Sequence, residues 1–269
     1  MCSVLRVGFI GAGKMGEALI RSMLGLEDLQ VSVLASDVSA ERRELVGRLD
    51  GVEATESNLR VVDESDVVFV AVKPQNIDEV LDEIKDTDKL VISIAAGIPL
   101  RRLEAKLTKA RVIRVMPNTP CLVGEMAGGF SLGTRATEAD AETLTELLRN
   151  AGRIFRLDEK HLDAVTALSG SGPAFIAYII EAMAEEAIKQ GLPRDVAEQL
   201  AVQTVLGTGK LLRDMKLSPE DLISMVSSPG GTTVAGRQIL ENSDVKDIIE
   251  KTIARATERG RELGKSERP

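Results

Sequence analysis

Residues 11–16 read Gly11-Ala12-Gly13-Lys14-Met15-Gly16. The apolar run from Val4 to Ile10 predicts a strand before them, and the amphipathic stretch from Lys14 to Leu24 predicts a helix after them. In that setting Gly11 permits a tight turn, Gly13 lets backbone amides approach a diphosphate, and Gly16 lets the helix pack on the strand. A P-loop is excluded because Glu17, not lysine, comes next. A turn without a ligand is the alternative, but the context favours a dinucleotide bound at a helix N-terminus.

Strands and helices alternate outward from this turn through the first half of the chain. Strands are predicted over residues 4–10, 30–35, 67–72, 90–95, 111–116, 128–132 and 153–156, and helices over residues 14–24, 40–49, 77–84 and 138–150. Parallel neighbours need crossover connections, so this alternation specifies a parallel-rich sheet. We therefore predict an α/β, Rossmann-type dinucleotide-binding domain over residues 1–158.

The second half shows helical spacing only. Helices are predicted over residues 161–168, 173–190, 194–214 and 219–226, followed by a helical run over 235–263 that breaks near Ser243. We therefore predict an all-α domain over residues 159–269. Apolar residues surround most of one of its helices, including Phe175, Ile179, Ile180 and Met183. That pattern fits either a central core helix or the core of a symmetric dimer.

The charge, the aromatic content and the length of the apolar runs indicate which partners this chain is not expected to bind. The 269 residues include 34 Lys and Arg against 42 Asp and Glu, giving a formal net charge of −8, and aromatic residues make up 2%. A chain that binds nucleic acid needs basic surface and stacking side chains, so nucleic acid is not expected. The apolar runs at 67–72 and 174–180 end at Lys73 and Glu181, too short for a membrane span.

Cysteine and histidine usage excludes further kinds of site. Cys2 and Cys121 lack metal-ligand spacing, and His161 is the single histidine, so neither a disulfide framework nor a metal site is expected. No leader-like segment precedes the first strand, and we expect a cytoplasmic protein.

The end of the second strand is where dinucleotide choice is normally made. Asp37 there points to the ribose hydroxyls of NAD, whereas Ser36, Arg42 and Arg43 suit the extra phosphate of NADP. Asp37 has a third possible role as a cap of the following helix. The pattern alone leaves the three roles open.

Two proline-stiffened strand ends lie at the same predicted sheet edge. Ala71-Val72-Lys73-Pro74 follows one strand, and residues 114–120 contain the second. Ligands bind at the carboxyl edge of open α/β sheets, so both ends are candidate cofactor contacts. The alternatives are a solvated loop lysine at Lys73 and a rigid structural loop around Pro117.

Two loops of small residues precede helices in the second half. One spans residues 168–174, and the other reads Ser227-Ser228-Pro229-Gly230-Gly231-Thr232-Thr233. Free backbone amides at a positive helix end favour a bound carboxylate. Ordinary helix capping by Thr232 or Thr233 is the alternative.

These motifs, in this order across nearly the whole chain, resemble pyrroline-5-carboxylate reductase. The resemblance rests on the glycine turn, residues 71–74, 93–97, 116–120, 168–173 and 228–233. Over residues 226–241 the chain is similar to the family's signature except at Arg237, where an aliphatic residue is usual. The family reduces the cyclic imine L-1-pyrroline-5-carboxylate to L-proline with NAD(P)H, the last step of proline biosynthesis. The resemblance also implies a homodimer, often assembled into larger rings, and favours NADPH over the NADH that Asp37 suggests.

The resemblance places Ser228, Gly231, Thr232 and Thr233 around the substrate, with the Thr233 hydroxyl near the ring nitrogen as the catalytic contact. Motifs and resemblance together give these candidate cofactor contacts: Gly11, Ala12, Gly13, Lys14, Met15, Ser36, Asp37, Asn58, Ala71, Val72, Lys73, Pro74, Ala95 and Ala96.

Two other functions compete with this one. A β-hydroxyacid dehydrogenase has a similar architecture, but such enzymes resemble one another in a catalytic lysine where this chain has Ile176. A nucleotide-binding regulator without catalysis is the second alternative, and the intact loop over residues 228–233 argues against it.

Overall fold

The computed structural model describes residues 4–266. The strands are β1 (Leu5–Ile10), β2 (Val31–Ser36), β3 (Val52–Thr55), β4 (Val67–Val70), β5 (Leu90–Ser93), β6 (Arg111–Met116), β7 (Met126–Leu132) and β8 (Gly152–Arg156). They form one sheet in the order β3-β2-β1-β4-β5-β6-β7-β8. Every neighbouring pair is parallel except β6 and β7, which are antiparallel. The chain reverses its direction of strand addition between β1 and β4, which creates a switch point at their carboxyl ends.

The helices of the first half are α1 (Lys14–Leu24), α2 (Ala40–Gly47), α3 (Asn58–Glu64), α4 (Ile77–Glu83), α5 (Leu100–Lys106) and α6 (Glu138–Leu148). Every residue of β4 and β5 is buried, as expected of central parallel strands covered on both faces. One apolar layer packs α1 and α6 on the sheet, and the other packs α3, α4 and α5. The predicted α/β fold followed by helices is confirmed.

The second half is helical. Its helices are α7 (Leu162–Val165), α8 (Gly172–Lys189), α9 (Arg194–Asp214), α10 (Pro219–Val226), α11 (Thr232–Glu241) and α12 (Val245–Ser266). The helix predicted over residues 161–168 is instead a short 3₁₀ turn, α7 and a π-helical turn over Thr166–Gly170. The predicted break near Ser243 is confirmed, but α11 begins at Thr232 rather than at residue 235.

Two compact units divide the chain. The first comprises Met1–Ser171 together with Ala256–Pro269, and the second comprises Gly172–Arg255. The predicted division into a dinucleotide-binding domain over residues 1–158 and a helical domain over residues 159–269 stays a prediction. Within Gly172–Arg255, all of it described, the only buried residues are three alanines, Ala184, Ala197 and Ala201. The second unit therefore leaves most of its apolar side chains exposed.

One helical run among the described residues, Glu159–Lys189, is long and apolar enough to cross a membrane, and 11% of its most apolar 18-residue stretch is buried. Length and composition do not distinguish such a run from a helix of a protein interface, so no membrane contact is assigned to it. The absence of a membrane partner stays a prediction.

Candidate active site

The glycine turn lies at the switch point between β1 and β4. Gly11 has a φ of +97°, and a Cβ on it would lie 2.7 Å from the Ala71 carbonyl oxygen. A Cβ on Gly16 would lie 2.6 Å from the Gly11 oxygen, so α1 packs directly on the turn. A Cβ on Gly13 would meet no atom within 4 Å. Two glycines are therefore required by the fold, and Gly13 leaves space for a ligand.

The N-terminus of α1 offers backbone amides to that space. Gly13 is the N-cap residue and has no side chain that could cap the helix amides. The first amides of a helix have no partner within it, so Lys14, Met15 and Gly16 can donate to an anion there. The fit is the one a dinucleotide diphosphate requires: open volume at a glycine, free donors and a positive helix end.

Met15 also contacts the interior through its side chain. Its sulfur lies 3.4 Å from the Cys121 Sγ atom, and burial raises the pKa of the Cys121 thiol. A thiol with a raised pKa is mainly protonated and poorly nucleophilic at neutral pH. Cys121 is a packing residue; Cys2 lies outside the described residues.

Asp37 fixes the glycine turn. Its Oδ2 accepts a hydrogen bond of 2.8 Å from the Ala12 N–H, and its Oδ1 accepts one of 2.9 Å from the Ser39 N–H. Ser39, not Asp37, caps α2 by accepting from the Arg42 N–H. The capping role considered for Asp37 is therefore wrong, and the Ala12 amide is taken by Asp37.

Arg42 holds the turn from the other side. Its Nε atom donates to the Ala12 carbonyl oxygen at 2.7 Å, and its Nη2 atom donates to Glu17 Oε2 at 2.7 Å. Burial raises the pKa of Glu17, but hydrogen bonds from Arg42 and Arg21 outweigh burial and hold that pKa below its usual value. Glu17 therefore stays ionised and keeps the Arg42 guanidinium in place.

Ser36 and Asn58 meet at the end of β2. The buried Ser36 hydroxyl donates to Asn58 Oδ1 at 2.7 Å, and Asn58 Nδ2 donates to Glu83 Oε2 at 2.7 Å. The structure thus brings together two predicted cofactor residues. Glu83 was not predicted as a site residue; it lies at the end of α4, 25 residues after Asn58.

The remaining cofactor candidates follow β4 and β5 at the same edge. The Ala71 N–H donates to the Ile10 oxygen at 2.8 Å, which holds residues 71–74 beside the turn. Lys73 is extended, with φ −64° and ψ 147°, and its side chain is exposed ahead of the short 3₁₀ turn Pro74–Asn76. After β5, Ala95 is buried and Ala96 is exposed.

Asn118 lies in the second proline-stiffened strand end, over residues 114–120, and the structure gives its side chain a structural role. Its Nδ2 atom donates to the Ser169 oxygen and its Oδ1 atom accepts from the Ala127 N–H, both at 2.9 Å. The side chain is buried. The proline-stiffened segment around Asn118 therefore ties β7 to the end of the π-helical turn, as the alternative of a rigid loop predicted.

Arg114 is buried on β6, where its Nη1 atom donates to Glu159 Oε1 at 2.9 Å. The same carboxylate oxygen accepts from the Leu100 N–H at 2.6 Å. Residues 159–161 are thereby fixed to β6 and to the start of α5. The strand position of Arg114 was visible in the sequence, but its partner was not.

The second unit presents the candidate substrate loop at the start of α11. Gly231 is the N-cap residue and has no side chain that could cap α11. Thr232 and Thr233 are the first two residues of the helix, so neither occupies the capping position. A Cβ on Gly231 would lie 2.9 Å from the Ser228 Oγ atom, so the turn closes tightly. Ser228, Thr232 and Thr233 are exposed. Capping by either threonine is therefore wrong, and both hydroxyls are available to a ligand.

Arg237, the departure from the family signature, lies on α11 beyond this loop. Its Nε atom is 3.0 Å from Glu241 Oε1, four residues later on the same helix. Among the described residues, no group of three or more His, Cys, Asp and Glu side chains is placed to hold a metal ion.

Two family models match the chain. Residues 159–263 match the one described as pyrroline-5-carboxylate reductase dimerisation. Residues 6–97 match the one described as NADP oxidoreductase, coenzyme F420-dependent. The first unit thus carries an NADP-binding type of domain, and the helical half carries a dimerisation domain, which implies a homodimer.

Relatives match over nearly the full length. The chain is 43% identical to the pyrroline-5-carboxylate reductase of Methanosarcina acetivorans, covering 97% of this chain and 98% of that protein. It is 42% identical to that of Arabidopsis thaliana, covering 97% and 96%.

Solved structures agree with the sequence relatives. The pyrroline-5-carboxylate reductase of Coxiella burnetii has a TM-score of 0.91 at 31% identity, covering 97% of this chain and 99% of that one. The Plasmodium falciparum enzyme, solved with NADP bound, has a TM-score of 0.84 at 28% identity, covering 97% and 98%. The chain belongs to the pyrroline-5-carboxylate reductase family.

Proposed function

We propose that this protein reduces L-1-pyrroline-5-carboxylate to L-proline with NAD(P)H, the last step of proline biosynthesis. The observation that carries the proposal is the N-terminus of α11. There the hydroxyl groups of Thr232 and Thr233 lie beside the first backbone amides of the helix, and neither hydroxyl caps the helix. A cyclic imino acid has the complementary groups: a carboxylate for the amides and a ring nitrogen for a hydroxyl.

A reduced nicotinamide supplies the hydride for such a reaction. The first unit would hold the dinucleotide through the amides of Lys14 and Met15 at the diphosphate and through residues 71–74, Ala95 and Ala96 at the sheet edge. Ser36, Asp37 and Asn58 would lie toward the adenosine ribose, at the end of β2.

The second unit would hold the substrate. Amides of Thr232 and Thr233 bind its carboxylate together with the Ser228 hydroxyl, while the Gly231 N–H closes the turn on the Ser228 carbonyl oxygen at 3.0 Å. The Thr233 hydroxyl accepts from the protonated ring nitrogen. A protonated imine is already electrophilic at carbon, so its reduction needs orientation and exclusion of water more than a strong acid or base. The reaction therefore does not require a pair of catalytic histidines, and the chain has a single histidine.

The competing dehydrogenase function lacks support at one position. Ile176 lies on α8 where that class has its catalytic lysine, and an aliphatic side chain moves no proton. The 3-hydroxyisobutyrate dehydrogenase of Salmonella typhimurium has a TM-score of 0.51 at 20% identity, a likeness of fold alone.

Several finer points belong to the same proposal. Either NADPH or NADH serves as donor, and dimers assemble into a larger ring, as the family resemblance implies. A cytoplasmic location stays a prediction from the isolated cysteines.

The test follows dinucleotide absorbance at about 340 nm. We expect oxidation of NADPH or NADH when pyrroline-5-carboxylate is added and none in its absence. Equal turnover of a 3-hydroxy acid with oxidised dinucleotide would instead support the dehydrogenase, and dinucleotide binding without turnover of either substrate would support the regulator.

A further inference from the structure

Five residues around the end of β2, Asp37, Arg42, Arg43, Asn58 and Glu83, form what we call the β2 collar. We infer that the β2 collar discriminates against the 2′-phosphate of NADPH, so that this chain prefers NADH, with Asp37 and Glu83 as the specificity-determining residues. The inference rests on the proposed function for the presence of a dinucleotide, and it reverses the preference for NADPH that the family resemblance implies.

Asp37 supplies acceptors and no donor. Its two carboxylate oxygens each accept one backbone N–H, from Ala12 and from Ser39, and these bonds hold the half-buried side chain beside the glycine turn. An ionised carboxylate has about four lone-pair sites, so it can still accept from ribose hydroxyl groups. A phosphate in the same place would offer it only negative charge.

Both arginines of the β2 collar are already paired. Arg42 is held by the Ala12 oxygen and by Glu17, each at 2.7 Å. Arg43 Nη1 donates to the backbone carbonyl oxygens of Asp37 and Val38 at 2.8 and 3.1 Å, and its Nη2 atom pairs with the Glu56 carboxylate. Recognition of a 2′-phosphate normally uses an arginine fork that is free to bind two of its oxygens. Binding NADPH would require one of these contacts to break.

The neutral donors are committed too. The Ser36 hydroxyl donates to Asn58 Oδ1, and Asn58 Nδ2 directs one of its N–H groups at the Glu83 carboxylate, both at 2.7 Å. The amide that could hold a phosphate therefore has a carboxylate as its neighbour. Glu83 adds a second negative charge to the β2 collar.

The charges of the β2 collar also disfavour a 2′-phosphate. Glu17 pairs with both Arg42 and Arg21, and Arg43 pairs with Glu56. Asp37 and Glu83, by contrast, accept only from uncharged N–H groups in the contacts described above. A phosphate monoester carries nearly two negative charges at neutral pH. Repulsion between like charges at short range near a protein surface is enough to change a dissociation constant by about tenfold or more.

The test measures dissociation constants of NADH and NADPH for the full chain by fluorescence titration, without substrate. We expect NADH to bind about tenfold or more tightly than NADPH. Glu83→Gln keeps an oxygen for Asn58, so it removes mainly charge. Asp37→Asn removes the charge and also one of the two acceptors, because Asp37 accepts from both the Ala12 and the Ser39 N–H. Each should lower the ratio of the two constants several-fold, and the control Asp50→Asn, an exposed position between α2 and β3, should leave it unchanged.

The ratio separates specificity from loop support, because a loosened glycine turn weakens both dinucleotides alike. Equal or tighter binding of NADPH by the unaltered chain would overturn the inference, as would a ratio that neither substitution moves. Failure to bind either dinucleotide would overturn the proposed function itself, a result distinct from binding both with the opposite preference.

Discussion

Gly11 and Gly13, two residues apart, separate the structural from the functional part of the glycine turn. Gly11→Ala should destabilise the fold by about 1 to 3 kcal/mol or more, because φ is +97° and the new Cβ would meet the Ala71 oxygen at 2.7 Å. Gly13→Ala should leave the Tm nearly unchanged, because φ is −63° and no atom lies within 4 Å. Its methyl group would occupy the space meant for the diphosphate, so dinucleotide affinity should fall about tenfold or more. Melting curves and titrations decide; a Gly13→Ala variant that binds dinucleotide normally would refute the assignment.

Thr233 is the residue on which the substrate site depends most. Thr233→Ala should lower kcat/KM for the imine by about one to three orders of magnitude, since a hydrogen bond of about 1.5 to 3 kcal/mol and some orientation are lost. Dinucleotide affinity should stay nearly unchanged, because the cofactor residues belong to the first unit. Thr233→Ser keeps the hydroxyl and should retain most activity. Unaltered kcat/KM in the alanine variant would remove Thr233 from the mechanism.

For single residues of the candidate site, the sequence predicted which positions matter but not which atoms they contact. The glycine pattern predicted the turn because each glycine answers a local backbone requirement. The role of Asp37 stayed open because its bond to the Ala12 amide depends on the pairing of β1 with β2, 25 residues apart. Glu83 escaped notice because only the packing of α3 against α4 brings it to Asn58.

The N-terminus of α6 shows how one element is fixed to the sheet. Thr137 and Asp140 form a reciprocal capping box, and Arg111 of β6 donates to Asp140 Oδ1 at 3.0 Å. Burial raises the pKa of Asp140, but the Thr137 and Arg111 hydrogen bonds outweigh burial and hold that pKa below its usual value. The ionised carboxylate therefore stabilises the fold above the pKa of the unfolded chain, about 3.9, and this contribution is lost as the pH falls through the lower, folded value.

Asp140→Asn should accordingly lower the free energy of unfolding by about 1 to 3 kcal/mol at neutral pH. The difference from the unaltered protein should be fully present above about pH 5 and shrink toward zero below about pH 3. Urea unfolding at both pH values measures it, with Glu142→Gln, exposed on the same helix, as control. A difference that is independent of pH would show that the charge of Asp140 contributes nothing.

Element prediction succeeded for the long helices and missed three short elements. The bounds of α1, β6, α9 and α10 agree with the sequence prediction. The elements β3, α3 and α5 were missed; they span four to seven residues, too few for a periodicity to emerge. The start of α11 was placed three residues late because glycine and threonine are weak helix formers, whereas free amides allow the helix to begin at Thr232.

The apolar side chains that the second unit leaves exposed indicate how the molecule associates. Ile179 and Met183 on α8 are each 42% exposed, and the unit buries only alanines. A helical layer of this kind cannot offset the conformational entropy of folding alone, so its apolar faces must be covered by the second subunit of the homodimer. Of the two possibilities open from the sequence, a core helix or a dimer core, the exposure favours the dimer.

Ile179→Asp should therefore weaken association and lower the Tm in a way that depends on protein concentration. Leu45→Asp is a matched control, since Leu45 of α2 is 37% exposed but belongs to the first unit. Sedimentation at micromolar concentration should show a dimer or larger assembly for the parent and the control and a smaller species for Ile179→Asp. A monomeric parent protein would contradict the account of the second unit.

The proposed reaction is direct hydride transfer from the dinucleotide to the imine carbon of the substrate. The measurement is the fate of deuterium from NADH or NADPH labelled at one face of nicotinamide C4, with pyrroline-5-carboxylate as the acceptor. We expect L-proline carrying one deuterium at C5 from one of the two labelled forms, in step with dinucleotide oxidation. Proline without deuterium from either form, or no oxidation of either dinucleotide, would contradict it.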